Sequence, residues 1–358
     1  MNKERIADFT SKLPLTVVEA MAKIDGDSHA AGLVFIVDDH NRLMGCITDG
    51  DIRRWILKGG ELSASVEQVM HKNPIFLNIY DRDKAKEVML DKVIRAIPIV
   101  DEANQVVDIV LSQEVKHIKS QKSLKDVSVV IMAGGKGTRL YPYTKILPKP
   151  LIPIGDTPIV ERIIDCYVEY GIDEYYMTVN YKKGMLRSYF NDLAHNYNVK
   201  FVEEDKPLGT GGSIKLIDDK FDKPLFVTNC DALIRADYAD IYDHHIKCGN
   251  DITMVSALKN ITVPYGVVNS GENGELISME EKPTLSYFIN TGMYVINPET
   301  IELIPDDIMF HMTHLVEKVM KNGGKVGTYP ISEDSFLDMG EFEEMKRMEQ
   351  KLNIISEK

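Results

Sequence analysis

Residues 129–150 read VVIMAGGKGTRLYPYTKILPKP. An apolar, β-rich run, Val127 to Met132, breaks into Gly134-Gly135-Lys136-Gly137, and Thr138 and Arg139 follow. A buried strand that feeds a glycine loop is how a parallel sheet presents backbone N–H groups to a phosphate chain. Glycine lets the backbone approach a ligand closely and adopt conformations closed to other residues. Arg139 can fork onto phosphate oxygens, and Lys149 supplies a second, movable positive charge. Two familiar glycine motifs do not fit. No Gly-x-x-x-x-Gly-Lys-Ser/Thr is present, and a dinucleotide fingerprint needs a glycine where Leu140 stands.

Downstream, apolar helices and strands alternate. Pro158 to Tyr170 has helical spacing and stops at Gly171; Glu174 to Asn180 reads as a strand, Lys182 to Asn196 as a helix and Val199 to Glu203 as a strand. This alternation predicts an α/β domain built on a mainly parallel sheet, with ligands at the carboxyl ends of the strands. A second glycine loop, Pro207-Leu208-Gly209-Thr210-Gly211-Gly212, precedes another helix. The strand Pro224 to Thr228 runs into Asn229-Cys230-Asp231, where a carboxylate is well placed to hold Mg²⁺ against phosphates. Further on stand Glu280-Glu281-Lys282-Pro283, Asn290-Thr291-Gly292 and Leu337-Asp338-Met339-Gly340.

Gly-Gly-x-Gly-Thr-Arg-Leu, with Lys-Pro about ten residues on, resembles the signature of the sugar-phosphate nucleotidyltransferases, and the later motifs follow in that family's order. The resemblance implies a Rossmann-like, GT-A-like catalytic domain. It implies a nucleotide held by Ala133, Gly134, Gly135, Gly137, Thr138, Pro207, Gly209, Thr210 and Asp231. Arg139, Lys149 and Lys282 become the catalytic cations. Glu281, Lys282, Asn290 and Gly292 become the sugar-phosphate pocket, and Asp231 and Asp338 the Mg²⁺ ligands. The wording of the second loop is most similar to the guanylyltransferases, so GTP and a sugar 1-phosphate are the expected substrates. Asp243-His244-His245 and His311-x-x-His314 lack a completing ligand set and read as ordinary helix residues.

Residues 1–120 carry an internal repeat. Thr16 is a plausible N-cap for a first helix; the strand Gly32 to Val37, a turn at Asp38 to Asn41, the strand Leu43 to Thr48 and a helix opened by Asp49-Gly50-Asp51 follow. The second copy repeats a helix from about Asp83 to Asp91, the strand Ala96 to Val100, a turn at Asp101 to Asn104 and the strand Gln105 to Val110. Repetition on this scale means two like units packed together. The order is similar to a CBS-domain pair, which implies an adenine-nucleotide site with Thr48 and Asp51 at the phosphate and ribose. Opposite them the second copy has Val110 and Gln113, so such a site is single. The alternative is that Asp49 and Asp51 only cap a helix. His117 to Asp126 is polar, and the boundaries are drawn as 1–120 for the pair, 121–126 for the linker and 127–358 for the catalytic domain.

A CBS pair ahead of a nucleotidyltransferase resembles the glucosamine-1-phosphate guanylyltransferases of legionaminic acid synthesis. Mannose or a heptose as the sugar, another base, or a nucleotide sensor with an inactive transferase domain are the rival readings. The intact Arg139, Lys149, Asp231, Lys282 and Asp338 count against the sensor. Across the 358 residues, a net charge of −13 argues against a general nucleic-acid binder. Four cysteines without metal-ligand spacing read as reduced thiols. The amino terminus lacks the apolar core of a signal peptide, and no apolar run approaches the roughly 18 residues that span a membrane. A cytoplasmic enzyme that self-associates is expected.

Overall fold

The computed structural model describes residues 3–26, 32–92, 94, 96–111 and 123–352. Gln113 and the first two residues of the expected linker, 121 and 122, lie outside the described residues. The chain falls into two compact units: residues 1–120 with Pro330–Asp334, and residues 121–329 with 335–358.

In the first unit the repeat is a structural one. Helix α1 (Lys3–Phe9) leads into β1 (Thr10–Lys12), and α2 (Val17–Asp25) begins with the Thr16–Glu19 capping box. Strand β1 lies parallel to β2 (Leu33–Val37), which pairs antiparallel with β3 (Leu43–Thr48), and α3 (Asp49–Leu57) follows. The second copy repeats the sheet with β4 (Leu77–Asn78), β5 (Ala96–Val100) and β6 (Val106–Leu111), with α4 (Ala85–Lys92) before β5. Both hairpins shift register at the same place, before Val37 in one copy and Val100 in the other. Both turn through a left-handed asparagine, Asn41 and Asn104, after an aspartate whose carboxylate accepts backbone N–H bonds. Asparagine tolerates that conformation and aspartate organises the turn, so like residues make like turns. Phe35, Val37, Val100 and Ile109 share one core across the two copies.

The second unit is built on a seven-stranded sheet. Its strands begin with β7 (Val129–Met132). A small hairpin of β8 (Pro153–Ile154) and β9 (Thr157–Pro158) follows, with α5 (Tyr143–Ile146) before it and α6 (Ile159–Val168) after it. Strand β10 (Glu174–Val179), α7 (Lys183–Asp192), β11 (Asn198–Glu203), α8 (Gly209–Gly212) and β12 (Leu225–Asn229) complete the parallel half, in the order β11-β10-β7-β12. Strand β13 (Ala232–Ile234), α9 (Tyr238–Cys248) and β14 (Ile252–Thr262) come next, then the hairpin β15 (Gly266–Ser270) and β16 (Leu276–Glu281), and β17 (Thr284–Ile296). After α10 (Met312–Lys321) come β18 (Val326–Ile331), β19 (Phe336–Asp338) and α11 (Phe342–Lys351), the last of the described elements. Strand β17 joins the sheet antiparallel beside β12, and β14 lies antiparallel beside β17, so the sheet is mixed and mostly parallel.

Side chains alternate across this sheet. Val130, Met132, Tyr176 and Val227 pack on one face with Leu315 and Val319 of α10. Phe226 points to the other face, where Tyr167 stacks on Tyr238 with ring centroids 4.5 Å apart. With both faces covered, ligands have access only at the strand ends.

Candidate active site

The parallel strands β7, β10, β11 and β12 end at one edge, and the candidate residues gather there. Leaving β7, the chain is held by Ala133 N–H donating to Thr178 O at 2.9 Å. Gly137 then turns in the left-handed region at φ 61°, which glycine adopts without penalty. A side chain at Gly137 would press on Lys149 Cβ at 3.1 Å and Thr144 Cγ2 at 3.0 Å, so the loop and the Lys-Pro segment are packed together. Gly135 has open space where a side chain would stand.

Lys149 is buried, and its ammonium forms an ion pair with the Asp231 carboxylate. Asp231 is joined to Asp338 through a short ladder: β13 pairs with β19 so that Ala232 faces Asp338, and Met339 N–H donates to Asp231 O at 2.8 Å. Burial raises the Asp338 carboxyl above its ordinary range, and the charge of Asp231 adds to this; Lys149 and Arg139 offset it. Four residues spread over 200 positions of sequence thus act on one another at one place. Two like charges brought together in a partly buried setting, opposed by fixed cations, suit a hard divalent ion. Mg²⁺ is commonly held by one or two carboxylates together with substrate phosphates, and Asp231 and Asp338 fit that donor set.

The second glycine loop is braced by residues that the motifs do not reveal. Glu204 is buried; its carboxylate accepts from Leu208 N–H at 3.0 Å and lies 2.4 Å from where a side chain at Gly134 would begin. It therefore touches both glycine loops, and burial raises its carboxyl above the usual range. From the other side, Phe310 O accepts from Gly211 and Gly212 N–H, and Thr210 Oγ1 accepts from Met312 N–H at 3.1 Å. His311 Nδ1 lies 3.4 Å from Thr210 N. His314 lies in the first turn of α10, as expected of a helix residue, whereas His311 is the extended N-cap that precedes the helix and borders the loop. His245 is a buried structural group bonded to Thr253 and Asn297.

The residues expected to form the sugar-phosphate pocket divide. Asn290 bonds back to Gly292 N–H and to the Tyr294 hydroxyl, and so fixes its own turn. Gly292, at φ 80°, lets Asn229 approach: a side chain there would begin 2.1 Å from Asn229 Nδ2. Glu281 ends β16, and Lys282 follows in the left-handed region with its N–H on Tyr265 O. Pro207 stands directly before Leu208 at the entry to the second loop. In the first unit, Asp51 accepts from Thr48 N–H and Oγ1 in a capping box and pairs with Arg54. The capping role weighed for Asp51 is thus present.

A family model described as nucleotidyl transferase matches residues 128–353, and a CBS-domain model matches residues 14–58. A UTP–glucose-1-phosphate uridylyltransferase of Synechocystis is 33% identical over 50% of this chain and 51% of its own length. A mannose-1-phosphate guanyltransferase of Debaryomyces hansenii is 34% identical over 49% of this chain and 51% of its own. The chain spans about half the length of the curated relatives it matches. The solved structure of a putative glucose-1-phosphate thymidylyltransferase from Bacillus anthracis superposes with a TM-score of 0.50, at 21% identity, over 65% of this chain and 97% of that one, which speaks to the fold. Among the described residues no helix is long and apolar enough to cross a membrane.

Proposed function

We propose, on the premise that the chain belongs to the nucleotidyl transferase family, that it transfers a GMP unit from GTP to a sugar 1-phosphate. Glucosamine 1-phosphate is the proposed acceptor, and a GDP-amino sugar of the kind used for legionaminic acid is the product. The observation that carries the reaction type is the meeting of Arg139, Lys149, Asp231 and Asp338 at the strand edge, between two glycine loops. Guanine as the base is supported by the Pro-Leu-Gly-Thr-Gly-Gly loop and by relatives named as guanyltransferases.

In the proposed reaction an acceptor phosphate oxygen attacks the α-phosphorus of GTP. The bond to the bridging α–β oxygen breaks, and pyrophosphate leaves. The second pKa of the acceptor phosphate is about 6, so the nucleophile is already ionised near neutrality and no general base is needed. The enzyme's work is positioning and charge neutralisation. Backbone N–H groups of the first loop and Arg139 hold the leaving phosphates. Lys149 stabilises charge growing at the α-phosphate, and Lys282 orients the acceptor. Mg²⁺ on Asp231 and Asp338 would supply a Lewis acid toward phosphate oxygens. The Thr48–Asp51 corner is proposed to take an adenine nucleotide, which would need Asp51 to exchange part of its capping bonds for ribose hydroxyls.

Pyrophosphate release decides the matter. GTP, dTTP, UTP and CTP are each offered with glucosamine, N-acetylglucosamine and mannose 1-phosphates. GTP with glucosamine 1-phosphate is expected to be fastest. A faster reaction with mannose 1-phosphate would keep the chemistry and replace the acceptor. No release with any pair from folded protein would discard catalysis.

A further inference from the structure

On the function just proposed, the second glycine loop meets the nucleobase, and what it can read depends on which of its backbone donors are free. Leu208, Thr210, Gly211 and Gly212 all have their N–H groups bonded within the protein. Leu208 N–H goes to the Glu204 carboxylate at 3.0 Å. Gly211 and Gly212 N–H both go to Phe310 O, at 2.8 and 2.9 Å, and Phe310 N–H returns to Leu208 O at 2.8 Å. Thr210 N–H goes to the ring of His311, with Nδ1 at 3.4 Å. Nδ1 therefore accepts, which places the ring proton on Nε2. Other contacts hold the ring in this place. Met312 N–H donates to Thr210 Oγ1 at 3.1 Å, which ties the next residue to the same threonine. His311 N–H is fixed on His314 Nδ1 at 3.2 Å. A side chain at Gly209 would begin 3.1 Å from both Cε1 and Nδ1 of His311, so the ring lies directly against the loop.

We propose that His311 is a specificity-determining positioning residue, which favours guanine over uracil by withholding the Thr210 N–H from the base. The two bases differ in what they ask of a loop. The pairing edge of guanine carries two donors, N1–H and the 2-amino group, beside one acceptor, O6. That of uracil carries one donor, N3–H, between two carbonyl acceptors. A loop with its N–H groups already bonded leaves the carbonyls of uracil unpaired, and an unpaired buried acceptor is costly. Releasing Thr210 N–H would give one of those carbonyls a partner. His311 touches no reacting atom in this scheme; it acts through Thr210.

The test measures binding of GTP and UTP to the full chain with Mg²⁺ by calorimetry, so it does not depend on turnover. A protein that binds GTP in preference to UTP but releases no pyrophosphate would discard the transferase reading and still bear out this one. His311→Ser keeps a residue suited to a helix N-cap and removes the ring nitrogen. The ratio of the UTP to the GTP dissociation constant should then fall about 5–10-fold, the size of one neutral hydrogen bond. His311→Asn puts Oδ1 the same number of bonds from Cα as Nδ1, and should restore the ratio. Melting curves establish that both variants fold. Should the serine variant not fold, hydrogen exchange of the wild type without nucleotide decides. A Thr210 amide as protected as those of Gly211 and Gly212 bears the proposal out, and one that exchanges freely overturns it. An unchanged ratio in a folded His311→Ser also overturns it, since a purely structural role would move the melt and not the choice of base. So does a wild type that binds UTP as tightly as GTP.

Discussion

Lys149 sets the charge balance of the candidate site. It pairs with Asp231 and also draws down the proton affinity of Asp338. Lys149→Met keeps the stem that packs on Gly137 and removes only the charge. Turnover should fall by about 10²–10³, the usual cost of losing one preorganised transition-state donor. The melting temperature should rise more with Mg²⁺ than in the wild type, because the two carboxylates then lack their resident cation. A loss in kcat of less than tenfold would remove Lys149 from the chemistry. A different kind of residue-scale effect belongs to Asp25. Burial pushes its carboxyl up to about 7, and Asp334 and Asp49 add to this against bonds from Ser332 and Glu333. The folded chain then keeps a proton that the unfolded chain has lost, between the ordinary aspartate range and about 7. Stability therefore falls as pH rises through that window. Asp25→Asn should match the wild type near pH ~4 and exceed it by ~1–3 kcal/mol at about pH 8 in urea titrations. Equal differences at both pH values would contradict this.

At the scale of elements, two glycines in the site should behave oppositely. Gly292 combines φ 80° with a contact on Asn229, so Gly292→Ala should destabilise the fold by about 2–4 kcal/mol. Gly135 has free space around it, so Gly135→Ala should leave the melt unchanged and raise KM for GTP by crowding the phosphates. Thermal melts and initial rates on the same two proteins check both; a stability loss at Gly135 would mean that the loop is held by something other than ligand geometry. This contrast also shows what could be read in advance. The first loop was legible because strand, glycines and cation are contiguous, and the repeat was legible because like turns use like residues. Asp231 was placed by the end of its strand, but Asp338 and its partnership with Asp231 could be named only by resemblance; it is the β13–β19 ladder that makes them neighbours. Glu204 was hidden among Glu203 and Asp205, since burial alone distinguishes it. His311 lies 101 residues from Thr210, and no local pattern announces a contact made by the entry of a distant helix.

For the whole molecule, two compact units with separate cores should unfold as two events. The sequence contains one tryptophan, and it lies in the first unit. Trp55 donates its indole N–H to Glu61 O at 2.9 Å, and its ring stands where a side chain at Gly60 would be, so its emission reports this corner of the fold. Far-UV circular dichroism reports both units. In urea the two signals should not coincide. Mg²⁺ with GTP, by binding the folded second unit, should move the part of the dichroism transition that the indole does not see. An adenine nucleotide at Thr48 and Asp51 should instead move the indole transition, and Asp51→Ala should abolish that shift while leaving the GTP effect in place. If both probes move together under either nucleotide, the units unfold as one, and ligand sites cannot be assigned to them by this route. If AMP and ATP move neither, Asp51 is only a helix cap and the proposed regulatory nucleotide is lost, while the catalytic reading stands.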